Sequence, residues 1–221
     1  DPVISISKDK KLQTDGWSVF VRKGFLSEWR KGRQMTSIDL RPILGLPGEH
    51  NHQNACAAYG VCRSIGMAPK AIEEALYSYV GLPHRCQILG KYNGVTFVND
   101  SKATNADAAE KALLTFSNIR WIVGGEAKSG GISSLEPYFS RVKKAYLIGS
   151  SMTAFAEQLH HIDYIKCETI SNAVRLAIED AEVGDVILLA PACASFDQYE
   201  SFEGRGNDFI NIVETIDNEN S

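Results

Sequence analysis

The central part of the chain contains three short apolar runs, Gly94-Val-Thr-Phe-Val-Asn99, Ile119-Arg-Trp-Ile-Val123 and Lys144-Ala-Tyr-Leu-Ile-Gly149. A fourth run, Asp185-Val-Ile-Leu-Leu-Ala190, follows later, and helical patterns separate the runs. We expect helices at 106–116, 135–142, 152–160, 171–181 and finally 206–214. Buried strands that alternate with helices are typical of a doubly wound, mainly parallel α/β sheet.

The chain before these runs has the pattern of short strands joined by turns. Strands are expected at 3–7, 17–22 and 35–40, and Asp15-Gly16 and Lys31-Gly32 are turn signals between them. We therefore expect locally connected, antiparallel hairpins in this part.

Two helices are expected after the hairpins. The first is Ala55–Ile65, which Gly66 ends, and the second runs from Pro69 to Tyr79. The pattern changes near Gly81. We therefore predict two domains, a fragment of hairpins and helices over 1–81 and the doubly wound domain over 82–221.

Composition argues against several classes of protein. The net charge of −4 gives no reason to expect nucleic-acid or membrane binding, and no apolar run is long enough to span a bilayer. The five cysteines lack the close spacing of a metal or redox site, which favours reduced thiols in a cytoplasmic protein. Because the chain starts with Asp1 close to a strand, we expect processing or a longer parent chain.

Three polar segments follow predicted strands, and ligands of open parallel sheets bind beyond the carboxyl ends of the strands. The first segment, Asn99-Asp-Ser-Lys-Ala-Thr-Asn105, contains a carboxylate, two hydroxyls and an ammonium group. Thr104 or Asn105 could cap the next helix, but capping needs only one residue. We therefore favour a binding loop here.

The second segment is Gly124-Gly-Glu-Ala-Lys-Ser-Gly-Gly131. It is not an ATP phosphate loop, because the GxxxxGK[ST] pattern is absent. Its glycines would let the backbone approach a ligand closely, and Lys128 could pair with an anion. A flexible surface loop is the alternative.

The third segment is Leu189-Ala-Pro-Ala-Cys-Ala-Ser195, where small residues leave space and Ser195 offers a hydroxyl. We interpret Cys193 as a buried structural thiol rather than a nucleophile, because no histidine partner is suggested nearby. Ser195 also lacks the Gly-x-Ser-x-Gly elbow of a hydrolase.

Two polar segments lie upstream of these loops. In His50-Asn-His-Gln-Asn54, Asn51 and Asn54 could cap a helix, and the histidines lack the i, i+4 spacing of a helical metal site. Pro83-His-Arg85 lies at the predicted domain boundary, where clefts commonly form. We predict no metal site in the chain.

Taken together, these segments resemble the Mur ligases, a family of ATP-dependent amide-forming enzymes of peptidoglycan synthesis. The resemblance runs from about residue 40 almost to the end. It is carried by 48–54, 82–85, 99–105, 124–128 and 190–198, with Phe202 and Arg205-Gly206. The segments 124–128 and 190–198, the latter with Phe202 and Arg205-Gly206, resemble those of the family member that adds D-glutamate to UDP-N-acetylmuramoyl-L-alanine.

The resemblance implies that residues 1–81 are the end of a central ATPase domain and 82–221 a complete Rossmann-like third domain. Such enzymes use ATP and Mg²⁺ and form an acyl phosphate. Most magnesium ligands and the phosphate loop would lie outside this sequence, so the resemblance implies no catalytic residue here and no activity for the chain alone. The complete enzyme is expected to be a cytoplasmic monomer.

The resemblance also implies roles for individual residues. D-Glutamate has two carboxylates, so its site needs cations and hydroxyl donors. The implied D-glutamate residues are Lys128, Thr104, Ser195, Phe196, Phe202 and Lys102. The implied ATP residues are Asn51, Asn54, His84, Arg85 and Asp100.

Two alternative functions remain open from the sequence. Folylpolyglutamate synthase shares the fold and also adds glutamate, although the Ala190-Pro-Ala-Cys-Ala-Ser195 string argues against it. A non-catalytic nucleotide-binding module would be compatible with the missing phosphate loop.

Overall fold

The computed structural model describes residues 4–7 and 16–219, with side chains up to 216. The chain divides into two compact units, Asp1–Gly81 and Leu82–Ser221. None of the described helices combines the length and the apolar character that crossing a bilayer would require.

The first unit contains a four-stranded sheet and two helices. The strands are β1 (Ile4–Ser7), β2 (Trp17–Arg22), β3 (Phe25–Arg30) and β4 (Arg33–Asp39), and the helices are α1 (Glu49–Ser64) and α2 (Pro69–Tyr77). Strands β2, β3 and β4 form antiparallel hairpins, which confirms the antiparallel hairpins expected in this part, although β3 is not one of the expected strands.

Strand β1 contradicts the hairpin prediction because it pairs with β2 in parallel, with Ile4 opposite Trp17. Residues 8–16 separate the two strands, which is too long a connection for the tight turn that Asp15-Gly16 suggested. Asp15 itself lies outside the described residues. Strand β3 was not predicted, because its buried Glu28 breaks the expected apolar pattern and instead accepts a hydrogen bond from Tyr59.

Helix α1 begins at Glu49, six positions before the predicted start at Ala55. Asn51 and Asn54 therefore lie inside the helix, and the prediction that either of them caps it is wrong. The N-cap is Gly48, without a side-chain hydrogen bond. Ala55, Cys56 and Tyr59 are buried and pack the helix on the sheet, but they lie inside the predicted range and do not account for the earlier start.

The second unit is built on a six-stranded sheet, and it confirms the doubly wound, mainly parallel, Rossmann-like prediction. The elements in chain order are β5 (Gln87–Tyr92), β6 (Val95–Asn99), α3 (Ala106–Thr115), β7 (Ile119–Gly124), a 3-10 helix (Ser133–Arg141), β8 (Val142–Ile148), α4 (Met152–Gln158), β9 (Tyr164–Glu168), α5 (Ile170–Asp180), β10 (Val186–Leu189) and α6 (Phe202–Glu219). The strand order is β5-β6-β10-β7-β8-β9. All neighbours are parallel except β5 and β6.

Strands β5 and β9 were missed by the sequence analysis. Strands β5 and β6 form a hairpin around Asn93-Gly94, whose φ angles of 50° and 82° are those of a tight hairpin turn. That dipeptide was an available signal. Two helix predictions also need correction. Residues 133–141 form a 3-10 helix that contains Pro137, and α6 begins at Phe202 rather than near Gly206.

Both faces of this sheet are covered, which gives the unit three layers. Side chains of α3, the 3-10 helix and α4, such as Leu113, Phe139 and Phe155, pack on one face. Side chains of α5 and α6, such as Val174 and Phe209, pack on the other. Because its strands are buried on both faces, the sheet offers ligands only its edges and the loops beyond its strand ends.

Candidate functional site

The three polar loops singled out from the sequence follow three neighbouring strands. Strand β10 lies between β6 and β7 and is parallel to both, so the loops leave the same edge of the sheet. The chain continues from β6 to β7 by way of α3 and returns to β10 only after β9. The chain after β6 continues into α3 on one face of the sheet, whereas the chain after β10 continues into α6 on the other face. Neighbouring strands whose connections leave toward opposite faces form a topological switch point.

The loop after β6 is fastened to the start of the second unit through Asp100. Its carboxylate is buried and accepts a hydrogen bond from the Cys86 backbone N–H at 3.0 Å. Burial raises the pKa of Asp100 from 3.8 to about 7, while the bonds from Cys86 and the charge of Arg85 act in the opposite direction. Arg85 itself is exposed.

His84 is buried beside the same loop. Its Nδ1 atom lies 3.1 Å from Asn99 Nδ2, and its carbonyl accepts from the Lys102 N–H at 3.0 Å. A Cβ atom at Gly206 would collide with the imidazole ring, so glycine is required there. Burial lowers the pKa of His84, and the imidazole is therefore neutral at neutral pH.

Arg205 joins the loop after β6 to the loop after β10. The guanidinium is 1% exposed and donates to the Ser101 hydroxyl at 3.0 Å, the Ser101 carbonyl at 2.9 Å and the Cys193 carbonyl at 3.0 Å. A fourth bond goes to the Ala194 carbonyl at 3.2 Å. Burial lowers the pKa of Arg205 to about 10, so the group stays charged at neutral pH.

The loop after β7 is joined to the loop after β10 by backbone pairing. Glu126 and Ala194 exchange two N–H to carbonyl bonds of 3.0 Å each. Gly124 and Gly125 have φ angles of 132° and 131°, and a Cβ atom on either would strike a neighbouring carbonyl. The glycines therefore let the loop after β7 pack closely against the end of β8 and the loop after β10. Lys128 lies further along this loop and has an exposed side chain.

The remaining residues predicted to bind D-glutamate lie on these joined loops. Ser195 is 2% exposed, and no described residue hydrogen-bonds its hydroxyl. Thr104 is half-buried next to the cap of α3, where the Asn105 side chain accepts from the Ala108 N–H. Phe196 is 70% exposed. The loops are brought together as expected, and the roles of these side chains toward a ligand stay predictions.

Lys102 and Phe202 contact each other. The Lys102 ammonium lies 3.7 Å from the centre of the Phe202 ring. The His84 and Phe202 ring centres are 6.2 Å apart, and the two rings are nearly perpendicular. Phe202 therefore connects the loop after β6 to the start of α6, a contact that the sequence did not suggest.

Cys193 is buried at the centre of the three loops. Burial raises the pKa of its thiol to about 11, and its sulfur lies 3.7 Å from the Ser151 hydroxyl. The thiol therefore stays protonated, which suits the structural role expected for it rather than that of a nucleophile.

Asn51 and Asn54 belong to the first unit. The Asn51 amide donates to the Pro47 carbonyl at 2.8 Å, and Asn54 is exposed. Within residues 4–7 and 16–219, no three His, Cys, Asp or Glu side chains cluster as a metal site. These residues alone therefore offer no complete set of protein ligands to a magnesium ion.

Arg205 and the Asn99 side chain are the contacts that sequence reasoning missed. Asn99 Nδ2 reaches the Gly206 carbonyl at 3.0 Å, which ties the end of β6 to α6. Both residues lie in strings already noted for the resemblance. Their burial, which makes them structural anchors, has no signature in a single sequence.

A comparison with protein families matches residues 84–193 to a family described as Mur ligase, glutamate ligase domain. The chain is 61% identical over 216 residues to UDP-N-acetylmuramoylalanine–D-glutamate ligase of Cereibacter sphaeroides. It is 60% identical over 213 residues to the protein of that name from Roseobacter denitrificans. These alignments cover 98% and 96% of the chain but 46% of either relative, so the chain spans about half the length of the curated relatives it matches.

Solved structures of two other enzymes share the fold. UDP-N-acetylmuramate-alanine ligase from Thermotoga maritima has a TM-score of 0.65 at 16% identity, over 93% of this chain and 47% of that chain. Bifunctional folylpolyglutamate synthase/dihydrofolate synthase from Yersinia pestis has a TM-score of 0.62 at 21% identity, over 89% of this chain and 45% of that chain. At such identities the likeness concerns the fold alone. The match of residues 84–193 to the family model, together with relatives about 60% identical across nearly the whole chain, places this chain in the Mur ligase family.

Proposed function

We propose that this chain is part of an ATP-dependent ligase that adds D-glutamate to UDP-N-acetylmuramoyl-L-alanine in peptidoglycan synthesis. The observation that carries the proposal is the match over 98% of the chain to relatives with that name. In this proposal, residues 1–81 are the end of the central ATPase domain and 82–221 the amino-acid-binding domain.

The carboxyl edge of the second sheet has the chemistry that a dicarboxylate needs. Lys128 and Lys102 supply positive charge, and neither forms an ion pair with a described residue. Thr104 and Ser195 supply hydroxyl donors, with the backbone near Phe196 and the ring of Phe202 beside them. Charge-assisted hydrogen bonds to carboxylates are the strong ones, so we assign Lys128 the largest share of D-glutamate binding.

ATP would bind through the remaining residues of the predicted site. We assign Asn51 and Asn54 to the adenine side, Asp100 to the ribose, and His84 and Arg85 to the nucleotide. The pKa of Asp100, about 7, leaves its carboxyl group partly protonated at neutral pH, so it could donate or accept a hydrogen bond.

The reaction needs two steps. The terminal phosphoryl group of ATP passes to the carboxylate of the muramoyl-alanine substrate, and ADP leaves. The amine of D-glutamate then attacks the acyl phosphate, which forms the amide and releases phosphate. The described residues orient D-glutamate so that its amine faces the acyl phosphate, and orientation of this kind lowers the entropic part of the barrier.

The chain by itself should not complete this reaction. Its 221 residues contain no GxxxxGK[ST] phosphate loop, and the described residues contain no cluster of three His, Cys, Asp or Glu side chains that could hold a metal ion. Mg²⁺ would supply charge stabilisation on the phosphoryl oxygens, and we place most of its ligands outside these residues. We also propose that the complete enzyme is a monomer of the cytoplasm.

The proposal is tested by assaying the complete enzyme with ATP, UDP-N-acetylmuramoyl-L-alanine and D-glutamate, and separately with a folate substrate and glutamate. We expect phosphate release only with the muramoyl substrate. Release that depends on the folate substrate would instead identify a folylpolyglutamate synthase, and binding of ATP without turnover of either substrate would identify a nucleotide-binding module.

Lys128→Ala in the complete enzyme sharpens this test. Loss of a charge-assisted bond should raise the KM for D-glutamate by about 10- to 100-fold, while the KM for ATP stays within about twofold. Lys111→Ala is the matched control, because Lys111 lies on the exposed face of α3 and pairs with Glu110. An unchanged KM for D-glutamate in Lys128→Ala would remove Lys128 from the site.

A further inference from the structure

The loop that carries Lys128 is held at its beginning by the segment between β8 and α4. The Gly125 N–H donates to the Ser151 hydroxyl at 3.2 Å, and the Gly125 carbonyl accepts from the Ser151 N–H at 3.1 Å. The Ser150 hydroxyl donates to the same carbonyl at 3.0 Å. Ser151 is 5% exposed, so its hydrogen bond to Gly125 is shielded from water.

The same loop is held at its far end by the last residue of α4. The Gln158 side-chain oxygen accepts from the Ile132 N–H at 2.7 Å. A turn closes between these points, because the Gly131 N–H donates to the Lys128 carbonyl at 3.1 Å. Residues 125–132 are therefore anchored at both ends by one neighbouring segment, 149–158, with Lys128 between the anchors.

The segment 149–158 also contacts the loop that carries Ser195. The Asp197 carboxylate accepts from the Ser150 N–H at 2.8 Å. The same carboxylate lies against Gly149, where a Cβ atom would collide with it. Segment 149–158 therefore forms hydrogen bonds with both the loop that carries Lys128 and the loop that carries Ser195.

We propose that Ser151 and Gln158 are positioning residues that fix the Lys128 ammonium over the amino-acid substrate. This inference rests on the proposed function. Lysine has four rotatable bonds and an exposed side chain here, so the loop backbone sets the volume that its ammonium can sample. Loss of either anchor would enlarge that volume and weaken the pairing with a substrate carboxylate, with little effect on the later chemical step.

The test measures Ser151→Ala and Gln158→Ala in the complete enzyme. Each should raise the KM for D-glutamate by about three- to tenfold, which corresponds to one lost hydrogen bond, with kcat and the KM for ATP within about twofold. Glu157→Ala is the matched control, because Glu157 is an exposed neighbour of Gln158 on α4. Equal KM values for Gln158→Ala and Glu157→Ala would overturn the inference.

A double-mutant cycle separates positioning from general damage to the loop. Ser151→Ala and Gln158→Ala are each combined with Lys128→Ala, and we expect no further rise in KM, because both act through the same ammonium. Additive effects would contradict the inference. If Lys128→Ala itself leaves KM unchanged, the proposed D-glutamate site fails; if only the Ser151 and Gln158 variants are silent, the positioning role alone fails. Since Ser151 is buried, half-buried Gln158 keeps the test informative should Ser151→Ala fold poorly.

Discussion

In the second unit, charged side chains are paired at the amino ends of the parallel strands, whereas the cations at the carboxyl ends are not. At the amino ends, Asp185 is fully buried and lies 2.8 Å from Arg120 and 2.6 Å from Lys143. Asp180, at the end of α5, lies 2.6 Å from Lys144. At the carboxyl ends, the cations Arg85, Lys102, Lys128 and Arg205 make no ion pair within the part of the chain that the structure describes.

This difference separates charges that hold the fold from charges that are available to a ligand. The paired carboxylates at the amino ends connect β7, β8, β10 and α5, so they stabilise the sheet. Of these four cations only Arg205 is fully buried, and three backbone carbonyls and the Ser101 hydroxyl accept its hydrogen bonds. The exposed Lys128 and Arg85 and the half-buried Lys102 leave positive charge where three loops meet, which suits an anionic ligand.

The two buried aspartates show the same contrast in their acidity. At Asp185, burial alone would raise the pKa, but bonds from Lys143, the Glu182 N–H and Arg120 outweigh it, and the pKa is lowered. At Asp100, burial dominates and the pKa rises to about 7. Ionised Asp185 therefore stabilises the folded chain, whereas ionised Asp100 costs stability.

The largest change in the free energy of unfolding is expected for Asp185→Ala. It leaves Arg120 and Lys143 without their shared partner, and breaking a buried pair costs about 3–5 kcal/mol. Urea unfolding of the chain at pH 7 measures this loss. Asp163→Ala is the matched control, because Asp163 is exposed and should change the free energy of unfolding by less than about 0.5 kcal/mol. If Asp185→Ala changed the free energy of unfolding as little as Asp163→Ala, the paired charges at the amino ends would not stabilise the fold, and the contrast with the carboxyl ends would fail.

The next effect is expected for Asp100→Asn, which keeps an acceptor for the Cys86 N–H but cannot ionise. A carboxyl group whose pKa is raised on folding stabilises the fold below its unfolded pKa, and that stabilisation is lost as the pH rises toward 7. At pH 8 the variant should therefore be more stable than the wild type by about 2–4 kcal/mol, and the difference should shrink toward pH 4.

Urea unfolding at pH 4 to 8 checks this prediction, and Asp163→Asn controls for the loss of one surface carboxylate. The comparison between variant and wild type isolates Asp100, because the lowered pKa of His84 acts equally in both. A variant that is less stable than the wild type at pH 8 would mean that the Asp100 carboxylate is satisfied when ionised.

The smallest effect is expected for Asp180→Ala. This carboxylate is 35% exposed and Lys144 is 25% exposed, so water screens the pair. Because the variant also leaves the buried Tyr146 hydroxyl without its acceptor, the total loss should be about 1–2 kcal/mol. The more exposed Arg175–Glu179 pair on α5 gives the lower reference through Arg175→Ala, whose loss of stability is measured in the same urea experiment. A cost for Asp180→Ala equal to that of Asp185→Ala would mean that burial does not set the strength of these pairs.

Much of the second unit could be predicted from sequence, because its central strands are continuous apolar runs. Val95–Asn99, Ile119–Gly124 and Val186–Leu189 were each located to within about a residue. Edge strands are less apolar and were missed, as with Gln87–Tyr92 and Tyr164–Glu168. The parallel pairing of β1 with β2 could not be predicted, because sequence indicates a strand but not its partner.

The candidate site was predictable as far as its loops. Polar segments after apolar strands indicated residues 99–105, 124–131 and 189–195, and these loops do leave neighbouring strands. What could not be predicted was how the loops are fastened together. The burial of Arg205 and the anchoring of Gly125 by Ser151 depend on contacts between residues far apart in the chain, which no local pattern encodes.

The most direct test of the account is a crystal structure of the complete enzyme with D-glutamate bound. We expect one dicarboxylate at the edge where β6, β10 and β7 end, with its carboxylate oxygens within about 3 Å of Lys128 Nζ and of the Thr104 or Ser195 hydroxyl. D-Glutamate found away from this edge, with Lys128 Nζ and both hydroxyls free of it, would contradict the account.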